Sequence, residues 1–404
     1  MYRLAAVLLL FALSVPSAIS AQTKKHGATA HSTAKRKSAA SKTSAKKRSA
    51  KKKAASRRKK LTPAQRARAA RMKRAFVASS QLRPMAQQLL ENRTPEAYAA
   101  VERYARAHRT ENAGTMAWMA IGYARILDKQ YDAAIPALQT ARLRAGDLSD
   151  YADLFLAQAF SGTGQSMTAA TALADFDKRH PDSILLRDAA LTRADALVAA
   201  GEPTTALKAL EPYRSENRAD VEFSAAKAYA ALGDQTHASA GFTRLYAEYP
   251  TSWQAAAAAT ELQKLNPGNP YLPLTVQQRI TRADLLFKSR KYADAADEYR
   301  NVLNLPETQQ NPDSKRQYTA KLAGAMYRSG RRVEAMSLLD QMSEQPVDEA
   351  GAERLYMKAE EARAKDDGEN HRKYVDLLVS ANPTSIWTQE ALLSAGNMYL
   401  LRKD

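Results

Sequence analysis

The feature that most constrains this chain is a small residue that recurs five positions after each of a series of turns. Six of the seven residues at that position are Ala, and the seventh is His371. No segment between the turns shows the alternating pattern of a strand, and the segments are long enough for helices. The spacing therefore predicts an all-α chain built from repeated helical hairpins. The turns lie at Lys129, Gly164, Gly201, Gly233, Arg290, Gly330 and Asp366.

Other positions keep the same distance from each turn, and we refer to these offsets as the repeat template. Seven residues before the turn the chain has Gly or Ala, and nine and twelve residues after it most side chains are large and apolar. Small residues at −7 and +5 let two helices cross closely, while large residues at +9 and +12 fill the space to the next hairpin. Neighbouring hairpins must stack to bury their apolar faces. The pattern predicts a right-handed α-solenoid of tetratricopeptide-like hairpins.

The interval between Gly233 and Arg290 is longer than the others and contains an additional predicted helix from Thr251. Three prolines and a glycine follow in residues 266–275, which we interpret as a joint. The predicted organisation is a first repeat segment at 61–265, this joint, and a second repeat segment at 276–404. On the template, Gly396 is at −7 of a turn at Lys403, so we expect the sequence to stop inside an eighth repeat.

The N-terminal part has a different composition from the repeats. Residues 1–21 contain Arg3, an apolar run and small residues, a pattern typical of a secretory signal peptide, and they predict an exported, periplasmic protein. Residues 22–60 hold 16 Lys or Arg and no Asp or Glu, which predicts a disordered tail. This tail is interpreted either as an electrostatic tether to anionic envelope polymers or lipids, or as a solvated linker. Nucleic acid is disfavoured as a partner, and no integral membrane segment is predicted.

Motifs for catalysis are missing from the sequence. The chain has no Cys, no HExxH and no Gly-x-Ser-x-Gly, and its four histidines beyond the basic tail fall in different repeats. Glu361 precedes Lys365 by four residues, which is an ordinary helix pairing. We therefore predict no catalytic residue, no cofactor and no metal site, and whether the protein is part of an enzyme stays open.

First helices of the hairpins are expected to line a concave surface that binds a peptide or a glycan. Side chains six and three residues before the turns are the candidates, although packing between repeats is the alternative for the aromatic ones. The candidate groove-lining residues are Tyr123, Gln158, Asp195, Lys227, Asp284, Phe287, Tyr327, Glu360 and Asn397.

Two stretches suggest a family. Residues 248–265, "EYPTSWQAAAAATELQKL", and 382–404, "NPTSIWTQEALLSAGNMYLLRKD", each have a proline, a Ser or Thr cap, a Trp and an Ala-rich helix. Together with the repeats, they resemble the N-terminal superhelical region of soluble lytic murein transglycosylases. The resemblance implies a peptidoglycan-cleaving protein whose lysozyme-like catalytic domain carries Glu-Ser and Gly-Leu-Met-Gln motifs, and this sequence contains neither.

Two hypotheses follow from the sequence. In the first, the chain is the non-catalytic helical scaffold of a lytic transglycosylase whose catalytic domain is not in this chain. In the second, it is a self-contained periplasmic adaptor that binds other envelope proteins.

Overall fold

The structure, a computed structural model, describes residues 63, 66–67 and 79–402, apart from 216, 268–273 and 345–347. The predicted signal peptide and basic tail lie outside these residues. All regular elements in the described part of the chain are helices. Two compact units are present, Met1–Ala209 and Leu210–Asp404.

Unit 1 contains antiparallel helical hairpins, and the division between the units falls within its last helix. A short 3₁₀ turn, Gly146–Leu148, lies between α4 and α5. The helices are α1 (Leu82–Asn92), α2 (Pro95–Ala107), α3 (Asn112–Leu127), α4 (Tyr131–Arg142), α5 (Ser149–Gly162), α6 (Ser166–Ala172), α7 (Phe176–Arg179), α8 (Leu186–Ala199) and α9 (Pro203–Arg214).

Unit 2 has the same construction, with one additional long helix, α12, and one short one, α15. Its helices are α10 (Ala219–Leu232), α11 (Gln235–Glu248), α12 (Trp253–Leu265), α13 (Val276–Lys288), α14 (Tyr292–Leu303), α15 (Pro306–Gln309), α16 (Pro312–Arg328), α17 (Arg332–Asp340), α18 (Glu349–Ala364), α19 (Gly368–Ala381) and α20 (Ile386–Arg402).

The seven turns predicted from Lys129 to Asp366 each lie between two helices and have a left-handed backbone, whereas the turn predicted at Lys403 lies outside the described residues. Gly233 and Gly330 have φ values of 83° and 95°, and Lys129, Arg290 and Asp366 have φ of 58–63° although they are not glycines. A left-handed residue directs the chain back along the helix that it has just left. These seven predicted hairpin turns are therefore confirmed.

The template positions are also buried as predicted. All six Ala at +5 are fully buried, and His371, which replaces Ala in the last hairpin, is 1% exposed. Gly122, at −7, lies against the Leu138 side chain at +9, in the closely packed crossing of α3 and α4. Within each unit, helices of successive hairpins pack on each other, α3 on α5 and α16 on α18 among them. The all-α, tetratricopeptide-like stack of hairpins is confirmed.

One hairpin of unit 1 was not predicted. Helices α1 and α2 form a further hairpin around Arg93, whose φ is 49°. Its +5 residue is the buried Tyr98 in place of an Ala, so the alanine pattern does not reveal it. The hydroxyl of Tyr98 donates to Asp128 Oδ2 at 2.8 Å, which ties this hairpin to the next turn.

The additional helix before residue 266 is confirmed as α12, and Ser252 caps its N-terminus by accepting from the amide of Ala255. Helices α11 and α13, which precede and follow it, also pack directly on each other. Arg282 Nη1 donates to the carbonyl of Tyr246 at 2.7 Å, and its Nε donates to Glu298 Oε1 at 2.8 Å. Most of the segment 266–275 lies outside the described residues, and its role as a joint stays a prediction.

Candidate binding groove

Two cavities adjoin each other on the surface of unit 2. The first, which we call the Glu353 pocket, has a volume of about 330 Å³. The second has a volume of about 410 Å³ and continues along α20. Tyr356 and Arg363 line both cavities, so we describe them together as the unit 2 groove. The Glu353 pocket is lined by Phe287, Tyr327, Glu353, Tyr356, Glu360 and Trp387, with further residues at its rim.

The groove is formed mainly by the first helices of successive hairpins. Phe287 lies on α13, Tyr327 on α16, Glu360 on α18 and Asn397 on α20. Because stacking brings corresponding faces of these helices side by side, residues far apart in sequence meet on one surface.

Aromatic side chains form the apolar part of the Glu353 pocket. The rings of Tyr356 and Trp387 lie 5.3 Å apart between centroids, tilted by 30°. Ser385 orients the start of α20, because its Oγ accepts from the amide of Trp387 at 3.1 Å and donates to Glu349 Oε1 at 2.9 Å. These contacts hold the Trp387 ring at the wall of the pocket.

Charged side chains form the polar part of the groove. Arg363 Nη2 donates to Glu360 Oε2 at 2.7 Å, and Ser394 donates to Glu360 Oε1. Burial opposes ionisation of Glu360, but these hydrogen bonds outweigh it and lower the pKa of its carboxyl group. The guanidinium of Arg332 lies 5.1 Å from the ring centroid of Tyr327, within cation–π distance. The groove therefore presents both signs of charge beside aromatic rings.

Glu353 lies deeper than the other charged groups, with 8% of its surface exposed. A β-carbon on Gly324 would lie 3.2 Å from Glu353 Oε1, so the glycine leaves room for this carboxyl group between α16 and α18. The pKa of Glu353 is raised to about 7, mainly by burial; Lys321 opposes this rise, whereas Glu349 and Asp284 add to it. Its charge therefore changes close to neutral pH.

Four of the nine residues predicted to line a groove lie in this one. Phe287, Tyr327 and Glu360 line the Glu353 pocket, and Asn397 lines the second cavity. Asp284 lines neither of the two cavities; it is half-buried and accepts from the Tyr299 hydroxyl and from Lys321 Nζ, both at 2.6 Å.

The other four predicted residues are not part of the unit 2 groove. Tyr123 is 1% exposed and packs on Phe155 with 4.9 Å between ring centroids, so it belongs to the packing between hairpins of unit 1. Gln158, Asp195 and Lys227 are half-buried, and the ammonium of Lys227 lies 5.3 Å from the ring centroid of Phe223.

Three central residues of the groove were missed from the sequence. Glu353 and Tyr356 lie 13 and 10 residues before the Asp366 turn, further from it than the two offsets used to select candidates. Trp387 was noted only as part of a motif. Extending the template by one helical turn toward the start of each first helix would have revealed Tyr356, and a second turn would have revealed Glu353.

Unit 1 has a different polar cluster, centred on Asp153. Its carboxylate is 4% exposed and accepts from Arg142 Nε at 2.6 Å, from Arg179, and from His180 Nε2 at 3.0 Å. Burial opposes ionisation, but these partners outweigh it and lower the pKa of Asp153. Because α4, α5 and α7 each contribute to the cluster, we assign it a structural role.

The described residues contain no group of three or more His, Asp or Glu arranged to hold a metal ion. Among the same residues, no helix has both the length and the apolar character needed to cross a membrane.

Comparisons with known proteins give only distant structural matches. No family model matches the sequence, and no curated protein matches it. The C-terminal part of a TPR repeat-containing protein from Cytophaga hutchinsonii is 13% identical, with 77% of this chain and 99% of that chain covered and a TM-score of 0.35. A tetratricopeptide repeat protein from Parabacteroides merdae is 14% identical, with 69% and 97% covered and a TM-score of 0.28.

The TPR domain of P58(IPK) is 14% identical, with 80% of this chain and 99% of that chain covered and a TM-score of 0.26. Because these TM-scores are low, the fold of this chain is established by its own helical hairpins and not by the matches.

Proposed function

We propose that this chain is a non-catalytic helical-repeat scaffold that binds a polypeptide segment of a partner protein in the unit 2 groove. The observation that supports this most directly is the pair of adjoining cavities that share Tyr356 and Arg363. Together they form a continuous surface that is lined by residues from α13 to α20.

The lining favours a polypeptide over a glycan. Aromatic rings suit both ligands, but the groove also presents guanidinium and carboxylate groups. Charged side chains, backbone amides and carbonyls of a peptide offer partners for each of these groups. The peptidoglycan hypothesis, the export of the protein and the transglycosylase resemblance stay predictions.

A selection experiment with a matched pair of variants tests the proposed function. Ala364 lines the Glu353 pocket and is exposed near the end of α18, so Ala364→Trp obstructs the groove without entering the core. Ala293 is exposed on the second helix α14, away from both cavities, and Ala293→Trp is the control. Peptides selected from a phage-displayed library on the full chain are then measured by fluorescence polarisation.

We expect Ala364→Trp to weaken binding of the selected peptides at least tenfold and Ala293→Trp to leave it within twofold. Equal binding to both variants would show that peptides bind elsewhere and would refute the proposal. Soluble muropeptides are measured in parallel. If they bind in an Ala364→Trp-sensitive way and the selected peptides do not, the groove is a glycan site and the cell-wall hypothesis is preferred.

A further inference from the structure

We propose that the Glu353 pocket binds the cationic side chain, Lys or Arg, of the partner polypeptide, with Glu353 as its counter-ion. This inference rests on the proposed function and specifies which residue of the bound segment the pocket selects. It is drawn from the isolation of Glu353, from the charges around it and from the shape of the pocket walls.

Glu353 is a buried carboxyl group without a partner in the described part of the chain. It is 8% exposed, lines the pocket, and has neither a hydrogen bond nor an ion pair with any described residue. Buried carboxylates are costly unless they are paired. A ligand that brings a positive charge would supply the missing partner.

The charged groups that act on Glu353 include more carboxylates than cations. Lys321 lowers the pKa of Glu353, whereas the exposed Glu349 and the half-buried Asp284 raise it. Lys321 Nζ is already bonded to Asp284 at 2.6 Å. When Asp284, Glu349 and Glu353 are all ionised, the single ammonium group of Lys321 does not balance their negative charge.

The arginines at the rim do not supply the missing positive charge. Arg363 pairs with Glu360, and Arg332 stacks over Tyr327. Arg328 is exposed on α16, and none of the three forms an ion pair with Glu353. They are instead placed to contact the backbone carbonyls or acidic side chains on either side of a bound cation.

The walls fit the rest of a Lys or Arg side chain. Tyr356 and Trp387 form one aromatic wall, and Phe287 and Met357 add apolar surface. The methylene stem of a long cationic side chain packs on such surfaces while its head reaches the carboxylate. Aromatic faces also attract the cation directly.

The pKa of Glu353, about 7, makes this inference testable through pH. A bound cation favours the ionised carboxylate, so binding releases a proton below pH 7 and affinity rises between pH 6 and pH 8. Neither Lys nor Arg changes charge in that interval. His371 on α19 acts on Glu360, so a Glu353 variant is needed to assign the pH dependence.

The probes are three pools of acetylated heptapeptides, amidated at the C-terminus, with Lys, norleucine or Glu at the centre. The other six positions are random but exclude Lys, Arg and His. Norleucine keeps the alkyl stem and removes the charge. Capture by the immobilised full chain at pH 6 and pH 8 is quantified by mass spectrometry for wild type, Glu353→Gln, Glu307→Gln and Ala364→Trp. Glu307 is an exposed carboxylate on α15 that lines neither cavity, and it is the matched control.

We expect wild type at pH 8 to capture the Lys pool at least fivefold better than the norleucine pool, with a smaller ratio at pH 6. Glu353→Gln should abolish this preference at both pH values, while Glu307→Gln keeps it within twofold. If Ala364→Trp lowers capture of all pools but wild type shows no Lys preference, the groove binds peptides and this inference is wrong. If Ala364→Trp changes nothing, the proposed function itself fails.

The basic segment at residues 22–60 is another possible source of Lys and Arg side chains. A full-length variant with its 16 basic residues replaced by Gln separates the two sources. A Lys preference already present in wild type supports a partner in trans. A preference that emerges only in the Gln-substituted chain would assign the pocket to this segment and overturn the proposal.

Discussion

Gly122 faces Leu138 across the α3–α4 hairpin so closely that a β-carbon on the glycine would lie 2.4 Å from Leu138 Cγ. The two positions are −7 and +9 of the repeat template, and the contact shows why the template requires a small residue at −7. Helix packing at this distance leaves no space for a methyl group unless Leu138 moves.

Gly122→Ala should therefore destabilise the protein despite the better helix propensity of Ala. Overpacking of this kind costs about 1–3 kcal/mol, more than the gain of up to about 1 kcal/mol from replacing a helical glycine. The measurement is the midpoint of urea unfolding followed by circular dichroism. Gly368→Ala is the control, since a β-carbon there meets nothing within 4 Å, and this variant should be neutral or slightly stabilising.

Arg290 and Gly330 occupy equivalent left-handed turns of unit 2, with φ of 63° and 95°. A residue with a β-carbon is disfavoured in this region by about 1–2 kcal/mol. We expect Arg290→Gly to raise the free energy of unfolding by a fraction of that amount and Gly330→Ala to lower it. Changes of the same sign in both variants, measured by chemical denaturation, would contradict this explanation of the turns.

Stability should depend on pH through Glu353. Its native pKa of about 7 is raised from 4.5, so its contribution to stability is fully present below pH 4.5 and is lost as pH rises through 7. At pH 8 the cost amounts to roughly 3 kcal/mol. Glu353→Gln should therefore raise the melting temperature at pH 8 and have less effect at pH 5. A Tm difference that does not vary with pH would show that the side chain is not buried as described.

Asp153 should have the opposite pH dependence. Its pKa is lowered from 3.8, so its contribution to stability is present above that value and is lost as pH falls through the lower native value. At pH 7, Asp153→Asn leaves the partly exposed Arg142 and Arg179 without their shared carboxylate and should destabilise unit 1 by about 1.5–3 kcal/mol. Asp177→Asn is the control, because Asp177 is exposed on α7, and thermal unfolding is the measurement.

Much of the hairpin architecture was predictable because its determinants are local in sequence. Each turn, its +5 Ala and its −7 small residue lie within 13 residues, and helix crossing imposes the same requirement in every repeat. The α1–α2 hairpin escaped prediction because Tyr98 replaces that Ala. Its larger side chain is accommodated by a hydrogen bond to Asp128, a contact that spacing alone does not reveal.

The groove was less predictable because it depends on contacts between repeats. Tyr123 and Tyr327 lie at different offsets of the same template, yet one is buried and the other lines an open cavity. Whether an aromatic side chain packs on the next hairpin or faces the groove depends on the neighbouring helix. Tyr123 is covered by Phe155, whereas Tyr327 lies beside Gly324 and the exposed Arg332.

Helix α12 interrupts the repeat in sequence, but α11 and α13 remain in contact through Arg282, Tyr246 and Glu298. The guanidinium of Arg282 lies 3.7 Å from the ring centroid of Tyr246, so the contact is polar and aromatic at once. The hairpins on either side of α12 are thus held together by these side-chain contacts, although the chain between their turns is longer than elsewhere. Insertions here can lengthen the protein without shifting the register of the stack, which makes this connection a natural position for the chain to acquire new sequence.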